Sequence, residues 1–344
     1  LNVMHNWPNN LEEIGIRHDT ARTVSDAKAT AWRNLLSAWT QVGSEWDNNR
    51  QNRIPIENPF SDPIRQTRWA FATAAEAKTK EEVIDLSWID LHAKDPKHHK
   101  EAMRNPRMAP IWREEQEIEM KGLFARGCLR KVKRNELEKG TRIIGSRFQY
   151  KIKRHSAGAL SNKVKRLKVR LVVQGQFMSK EKGDFKNNFA PVPHLAGIRS
   201  VMSISTAKNW KSWSLDLTQG FIQADLPTGE DAGNTIYISP PVGYEQDPNV
   251  VYEVLRPLYG MPHSGRCLHV TWSNWLQQKG FSKVGYEGAM WVWSDESDYI
   301  LLATHVDDSI VTGSSEVKTK QMIDDILNRF DGTVDADVSE ILGM

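Results

Sequence analysis

Apolar and polar positions alternate most regularly from Lys165 to Gln174 (KRLKVRLVVQ). Leu167, Val169, Leu171 and Val173 fall on one side, and Arg166, Lys168 and Arg170 on the other. A period of two marks a half-buried strand. Thr141 to Arg154 reads as its antiparallel partner, joined through the turn His155 to Lys163 (HSAGALSNK), so the pair predicts a hairpin with a basic face. Helical spacing marks Pro110 to Cys128, closing near Gly127, then Ile198 to Lys208, Leu268 to Lys279 and Glu316 to Phe330. Between these lie apolar runs of strand length: Trp213 to Leu217, Tyr237 to Ser239, Tyr299 to His305 and Ser309 to Thr312. Nearer the start, Ser25 to Trp46 also reads as a helix, with Trp32, Trp39 and Trp46 on one packing face and Ser25 or Asp26 as its cap. The polar, proline-containing stretch Asn48 to Arg68 reads as a linker. Strands and helices interleave irregularly, which predicts an α+β fold rather than a doubly wound sheet.

With 344 residues and 39% hydrophobic content, the chain can build one large domain or two smaller ones around a sizeable core. No apolar run approaches the roughly 20 residues of a membrane span, so no membrane partner is expected. The start, LNVMHNWPNN, has no basic stretch followed by an apolar one, and it lacks an initiator Met, so the gene product is expected to begin upstream. Two cysteines, Cys128 and Cys267, cannot form a disulfide framework; they fit inert core thiols and an intracellular setting. His98 and His99, adjacent in DPKHHK, would diverge on a helix and predict a solvated surface rather than a metal pair. Charge changes the picture more. The net charge of +3 conceals a balance of +14 between Arg126 and Arg170, with sixteen Lys and Arg against Glu136 and Glu138, leaving −11 for the remainder. Such a basic block is the electrostatic footprint of a polyanion partner.

Two segments carry candidate chemistry. WSLDLTQGF sets Asp216 in an apolar strand that then turns, and YILLATHVDDSIVTG sets Asp307 and Asp308 at a tight hairpin between apolar strands. A buried carboxylate costs several kcal/mol unless a cation or hydrogen bonds compensate. Acids at apolar strand ends therefore invite a divalent metal such as Mg²⁺, which takes hard oxygen ligands. Two ions about 4 Å apart would serve nucleotidyl transfer, with the basic hairpin neutralising a triphosphate. A lone Asp pair is more often a simple turn; the basic strand and Asp216 shift the balance toward function.

These residues resemble the reverse transcriptases, and specifically their copia-type retrotransposon branch. HVDD looks like the tetrapeptide centred on two aspartates. KVRLVVQGQ (Lys168 to Gln176) is followed by Gly183, Asp184 and Phe185, then by Phe189, Ala190, Pro191 and Val192. Ile198 and Arg199 come next, then Asp216 with Phe221, Ile236 to Gly243, Leu258 to Gly260 with Arg266, and the double aspartate. The resemblance covers about Glu101 to Met344. It implies a right-hand polymerase with fingers mainly over 101–205 and a palm built on a central antiparallel sheet mainly over 206–344. Residues 1–100 would be a mostly helical or irregular N-terminal extension, or a connector following an integrase.

Carried over residue by residue, the resemblance makes Asp216, Asp307 and Asp308 the catalytic and metal-holding carboxylates, with two Mg²⁺ ions and Mn²⁺ as the alternative. Lys168, Arg170, Phe221 and His263 would contact the deoxynucleoside triphosphate, with Phe221 beside the sugar's 2′ carbon. Tyr259, Gly260, Arg266 and His305 would lie near an RNA or DNA template–primer. The sequence departs from the family pattern at His305, where Tyr is usual before VDD. In LYGMPHSGR, His263 replaces a common Gln, and Leu268 replaces a frequent Trp. The chain stops at ILGM, where the family's primer-grip region begins, so a thumb and ribonuclease H are expected to follow. The implied function is RNA-directed DNA polymerase within a polyprotein, working in a cytoplasmic virus-like particle with a nuclear phase. The alternatives are an inactive nucleic-acid-binding remnant of such a polymerase and, more remotely, a two-metal nuclease.

Overall fold

The computed structural model describes residues 86, 88–89, 92–154, 164–284, 288–336 and 338. The Trp-striped helix at Ser25 to Trp46, the linker at Asn48 to Arg68, the hairpin turn and the ILGM end lie outside these residues. The described part is α+β. Short helix α1 (His99–Ala102) and long helix α2 (Ala109–Ala125) precede strands β1 (Leu129–Lys133), β2 (Ile143–Ile144), β3 (Ser146–Arg154) and β4 (Val164–Val173). Helix α3 (Leu195–Ala207) leads to β5 (Ser212–Leu217), β6 (Tyr237–Ile238) and β7 (Val250–Val254). Helix α4 (Ser264–Gln278) is followed by β8 (Ser282–Lys283), β9 (Met290–Ser294), β10 (Tyr299–His305) and β11 (Asp308–Gly313), then α5 (Glu316–Arg329) and β12 (Gly332–Asp335). Among the described residues no helix is long and apolar enough to cross a membrane.

Among the described residues the strands form three sheets. The largest runs β12-β5-β11-β10-β9-β8, all antiparallel; the second runs β1-β7-β6-β2; the third is the β3–β4 hairpin. The large sheet is covered on both faces, which explains the unbroken apolar run in β10. Leu302 and Val311 point into a core shared with Trp272, Leu276, Ile323 and Phe330 from α4 and α5. Their neighbours Leu301 and Ile310 point the other way, onto Ile198 and Val201 of α3. In the hairpin, Leu167, Val169, Leu171 and Val173 are all buried with Trp112, Met120 and Leu123 of α2, as alternation predicts.

The expected strand from Thr141 to Arg154 is two strands. The division falls at Gly145, whose carbonyl still accepts the Gln174 N–H at 2.8 Å and where a Cβ would overlap the Gln174 side chain. Ile143 and Ile144 thereby pair in parallel with β6, while Ser146 onward pairs with β4. Helix α4 also starts four residues earlier than its apolar pattern suggests, anchored by the Ser264 hydroxyl donating to the Leu258 carbonyl at 2.6 Å. His98 accepts the Glu101 N–H and caps α1, whereas His99 turns inward to the Tyr150 hydroxyl at 3.2 Å.

Candidate active site

The strand β5 alternates Trp213, Leu215 and Leu217 into the core, so Ser214 and Asp216 occupy the opposite face. In the β5–β11 ladder Asp308 lies directly across from Asp216. Residues opposed in an antiparallel pair share a face, so the two carboxylates stand side by side at one end of the sheet. The hairpin between β10 and β11 closes on the His305–Asp308 pair, leaving Val306 and Asp307 as its two-residue loop. Val306 has φ of 60°, a conformation rare for a β-branched residue and costing about 1–3 kcal/mol. This tight loop brings the Asp307 carbonyl to within 3.0 Å of the Leu217 N–H and locks the loop tip beside the end of β5.

Electrostatics tie the acids to one another and to the hairpin. Partial burial raises the Asp216 carboxyl, and the Asp307 charge raises it further, while Lys168, Arg170 and Lys153 oppose the shift. Burial likewise raises Asp308, reinforced by Asp307 and Asp216 and opposed by His305. Lys168 is pushed down to about 8, first by burial and then by Arg170 and Arg166; Glu119 pulls the other way. The basic face of β4 therefore looks onto the acid end of β5, although they belong to different sheets.

Tyr259 sits between them. The Arg170 guanidinium lies 4.5 Å from the centre of the Tyr259 ring, and the Phe221 ring meets Tyr259 edge-on at 5.2 Å. Burial raises the phenol, opposed by Arg170 and reinforced by Asp307 and Asp216. A backbone crossing fixes this position. The Val173 N–H donates to the Tyr259 carbonyl at 2.8 Å. Gly260, at φ of 88°, has no room for a Cβ against the Val173 carbonyl, nor Gly175 against the carbonyl of Gly260.

The structure thus brings together Asp216, Asp307, Asp308, Lys168, Arg170, Phe221, Tyr259, Gly260 and His305. The contacts described do not join His263 and Arg266 to these residues. His263 is buried, stacked on Phe185 at 5.4 Å, and its Nδ1 has no hydrogen-bond partner among the described residues. Burial lowers its pKa, against the pull of Asp184. With Arg266, Trp275 and Cys267 it lines a cavity of about 600 Å³ that contains none of the three acids. Cys128 and Cys267 are both buried, and burial pushes the Cys267 thiol up to about 11, as befits an inert core group. The family landmark Asp184 acts structurally, accepting two bonds from Arg142 at 2.7 and 2.6 Å and the Ser179 N–H at 2.8 Å.

Sequence reasoning missed Glu119 and Gln219, which bridge α2, β4 and the turn after β5. A signal was present. Trp112, Gln116, Glu119 and Leu123 form one helical stripe, and a buried stripe holding a Gln and a Glu marks polar groups that bond inside the fold.

Among the described residues no group of three or more His, Cys, Asp or Glu side chains converges as a metal cage. The donor chemistry nonetheless fits a divalent cation. Hard oxygens on adjacent strand ends repel one another, and Mg²⁺ usually takes one or two protein carboxylates plus substrate phosphates.

Comparison with known proteins gives the family. The family model for reverse transcriptase (RNA-dependent DNA polymerase) matches residues 132–344. The chain is 26% identical over 254 residues to a retrovirus-related Pol polyprotein from transposon TNT 1-94 of Nicotiana tabacum, covering 73% of this chain and 18% of that protein. It is 27% identical over 190 residues to the Pol polyprotein from transposon RE1 of Arabidopsis thaliana, covering 55% and 12%. For that from transposon RE2 of the same plant the identity is 26% over 204 residues, covering 59% and 13%. The chain spans between 12% and 18% of the length of these relatives.

Proposed function

Because the chain belongs to the reverse transcriptase family, on its copia-type retrotransposon branch, we propose that it copies RNA and DNA templates by transferring deoxynucleotides to a primer 3′-hydroxyl. The observation that carries this reading is the contact chain through Tyr259, whose ring meets Arg170 of the basic strand at 4.5 Å and Phe221, five residues after Asp216, at 5.2 Å. A triphosphate needs cations along its length and carboxylates at its reacting end, and the gap between β4 and the paired Asp216 and Asp308 would offer both.

In this reading residues 101–205 are mainly fingers and 206–344 mainly palm, with residues 1–100 an extension or connector. Asp216 and Asp307 would hold Mg²⁺, with Asp308 completing the acidic group. Two such ions would supply activation of the primer hydroxyl and charge stabilisation of the leaving pyrophosphate. Lys168 and Arg170 neutralise the phosphates, and Tyr259 holds the guanidinium plane through its ring face. Phe221 lies against the sugar. His263 and Arg266, in the separate cavity wall, act on the nucleotide and template indirectly, through the segment that carries Tyr259 and Gly260. The integrase and ribonuclease H of the same polyprotein are its proposed partners, in a cytoplasmic virus-like particle.

The test is primer extension by the 344-residue chain with Mg²⁺ and dNTPs on an RNA template. Extension that disappears in Asp307→Asn is the expected result. Template–primer binding without extension would instead identify a non-catalytic remnant, and template cleavage would identify a nuclease.

A further inference from the structure

The geometry points to Glu119 as a positioning residue that ties the basic strand β4 to the turn leaving the acid strand β5, so that the triphosphate cations and the carboxylates keep a fixed separation. This rests on the polymerase reading above.

The β3–β4 hairpin is a two-stranded sheet, so among the described residues β4 has one edge without a strand partner. Two N–H groups on that edge are taken by other elements: Val173 donates to the Tyr259 carbonyl at 2.8 Å, and Leu171 donates to the Glu119 carboxylate at 3.0 Å. The second carboxylate oxygen of Glu119 accepts from the Gln219 side-chain amide at 3.3 Å. Gln219 lies three residues after Asp216 and holds a left-handed conformation, φ 54°. Its own side-chain carbonyl oxygen accepts from Arg126, just past the end of α2. One buried side chain therefore joins helix, hairpin and acid turn.

Glu119 is 8% exposed, and a carboxylate so placed is costly unless paired. Burial raises its pKa; the Leu171 N–H and the charges of Lys168, Arg170 and Arg126 act against that. A plain core position would be served by Leu or Met at lower cost. The carboxylate is useful because it bonds two elements at once and stands behind the two cations that face the gap. Glu119 does not touch the gap itself, and its effect passes through β4 and Gln219.

The experiment compares wild type with Glu119→Gln, Glu119→Ala, Gln219→Gly and the double variant of the last two; glycine suits the left-handed backbone at 219. Steady-state primer extension gives KM for dNTP and kcat, a filter assay gives template–primer affinity, and amide hydrogen exchange follows residues 168–171. Glu119→Ala and Gln219→Gly are each expected to raise KM for dNTP by about 10- to 100-fold, the cost of misplacing a reacting group by about 1 Å. Template–primer affinity should hold. The double variant should be no worse than either single one, because both cut the same link. Glu119→Gln keeps an acceptor for Leu171 and should restore part of the loss. Gln219→Gly, although it lies outside the hairpin, should speed exchange at 168–171. Unchanged exchange there, or additive losses with KM unmoved, would overturn the assignment. A wild-type chain that fails to extend primers would sink the polymerase reading, while hydrogen exchange would still decide the link.

Discussion

The guanidinium of Arg170 lies face-on to the ring of Tyr259, 4.5 Å from its centre. The two residues come from different sheet and loop elements, and each also feels the acids: Arg170 acts on Asp216, and Asp307 acts on Tyr259. Replacing Arg170 with Ala removes a cation poised for phosphate. A hydrogen bond to a charged group contributes about 1.5–3 kcal/mol, so KM for dNTP should rise roughly 10- to 150-fold. Template–primer affinity should fall less. Steady-state kinetics beside a filter-binding titration checks this, and a loss confined to duplex affinity would reassign the residue.

Asp307→Asn should separate activity from stability. Asp307 raises the carboxyls of both Asp216 and Asp308, so the native state carries repulsion that an amide would relieve. Primer extension should drop by at least about 100-fold, on the scale of losing one electrostatic stabiliser. The melting temperature should hold or rise. A lower melting temperature would show that Asp307 supports the fold.

Phe221 packs on Tyr259 at 5.2 Å and only partly enters the core beside β5. If its ring guards the sugar, Phe221→Ala should raise ribonucleotide use relative to deoxyribonucleotide use. An overlap of the 2′-hydroxyl with the ring costs on the order of 1–3 kcal/mol, or roughly 5- to 150-fold in discrimination. Equal loss with both substrates and a lower melting temperature would mark Phe221 as structural. Competition assays with paired nucleotides distinguish the two.

Stability should fall on mild acidification through His269. Burial, helped by Lys283 and Arg266, pushes its pKa from 6.5 down to about 4. The unfolded chain therefore binds a proton that the native protein refuses between those values. This stability is full above pH 6.5 and is lost as pH falls toward 4. Denaturant midpoints at about pH 7 and about pH 5 should differ more in wild type than in His269→Gln. Parallel curves would locate the acid sensitivity elsewhere.

The amino-acid sequence by itself determined the local parts. Alternation in KVRLVV set which side of β4 is basic, because side chains in a strand must alternate faces. The apolar runs flanking Asp307 and Asp308 forced a hairpin with its acids at the tip, since neither carboxylate could stay in a two-sided core. Tertiary structure alone decided what meets across the fold. Glu119 and Gln219 are 100 residues apart in sequence, and no periodicity reports their meeting; it follows from α2 packing along β4. Gly145 stands where one apparent strand divides: it still bonds Gln174 beyond the end of β4, while Ile143 and Ile144 before it turn to pair with β6. His263 stands in a sequence slot that suggests nucleotide contact, and only packing sets its ring on Phe185 in a cavity wall. A sequence pattern fixes which face a side chain takes within its own element. Which element then covers that face depends on packing the whole chain at once.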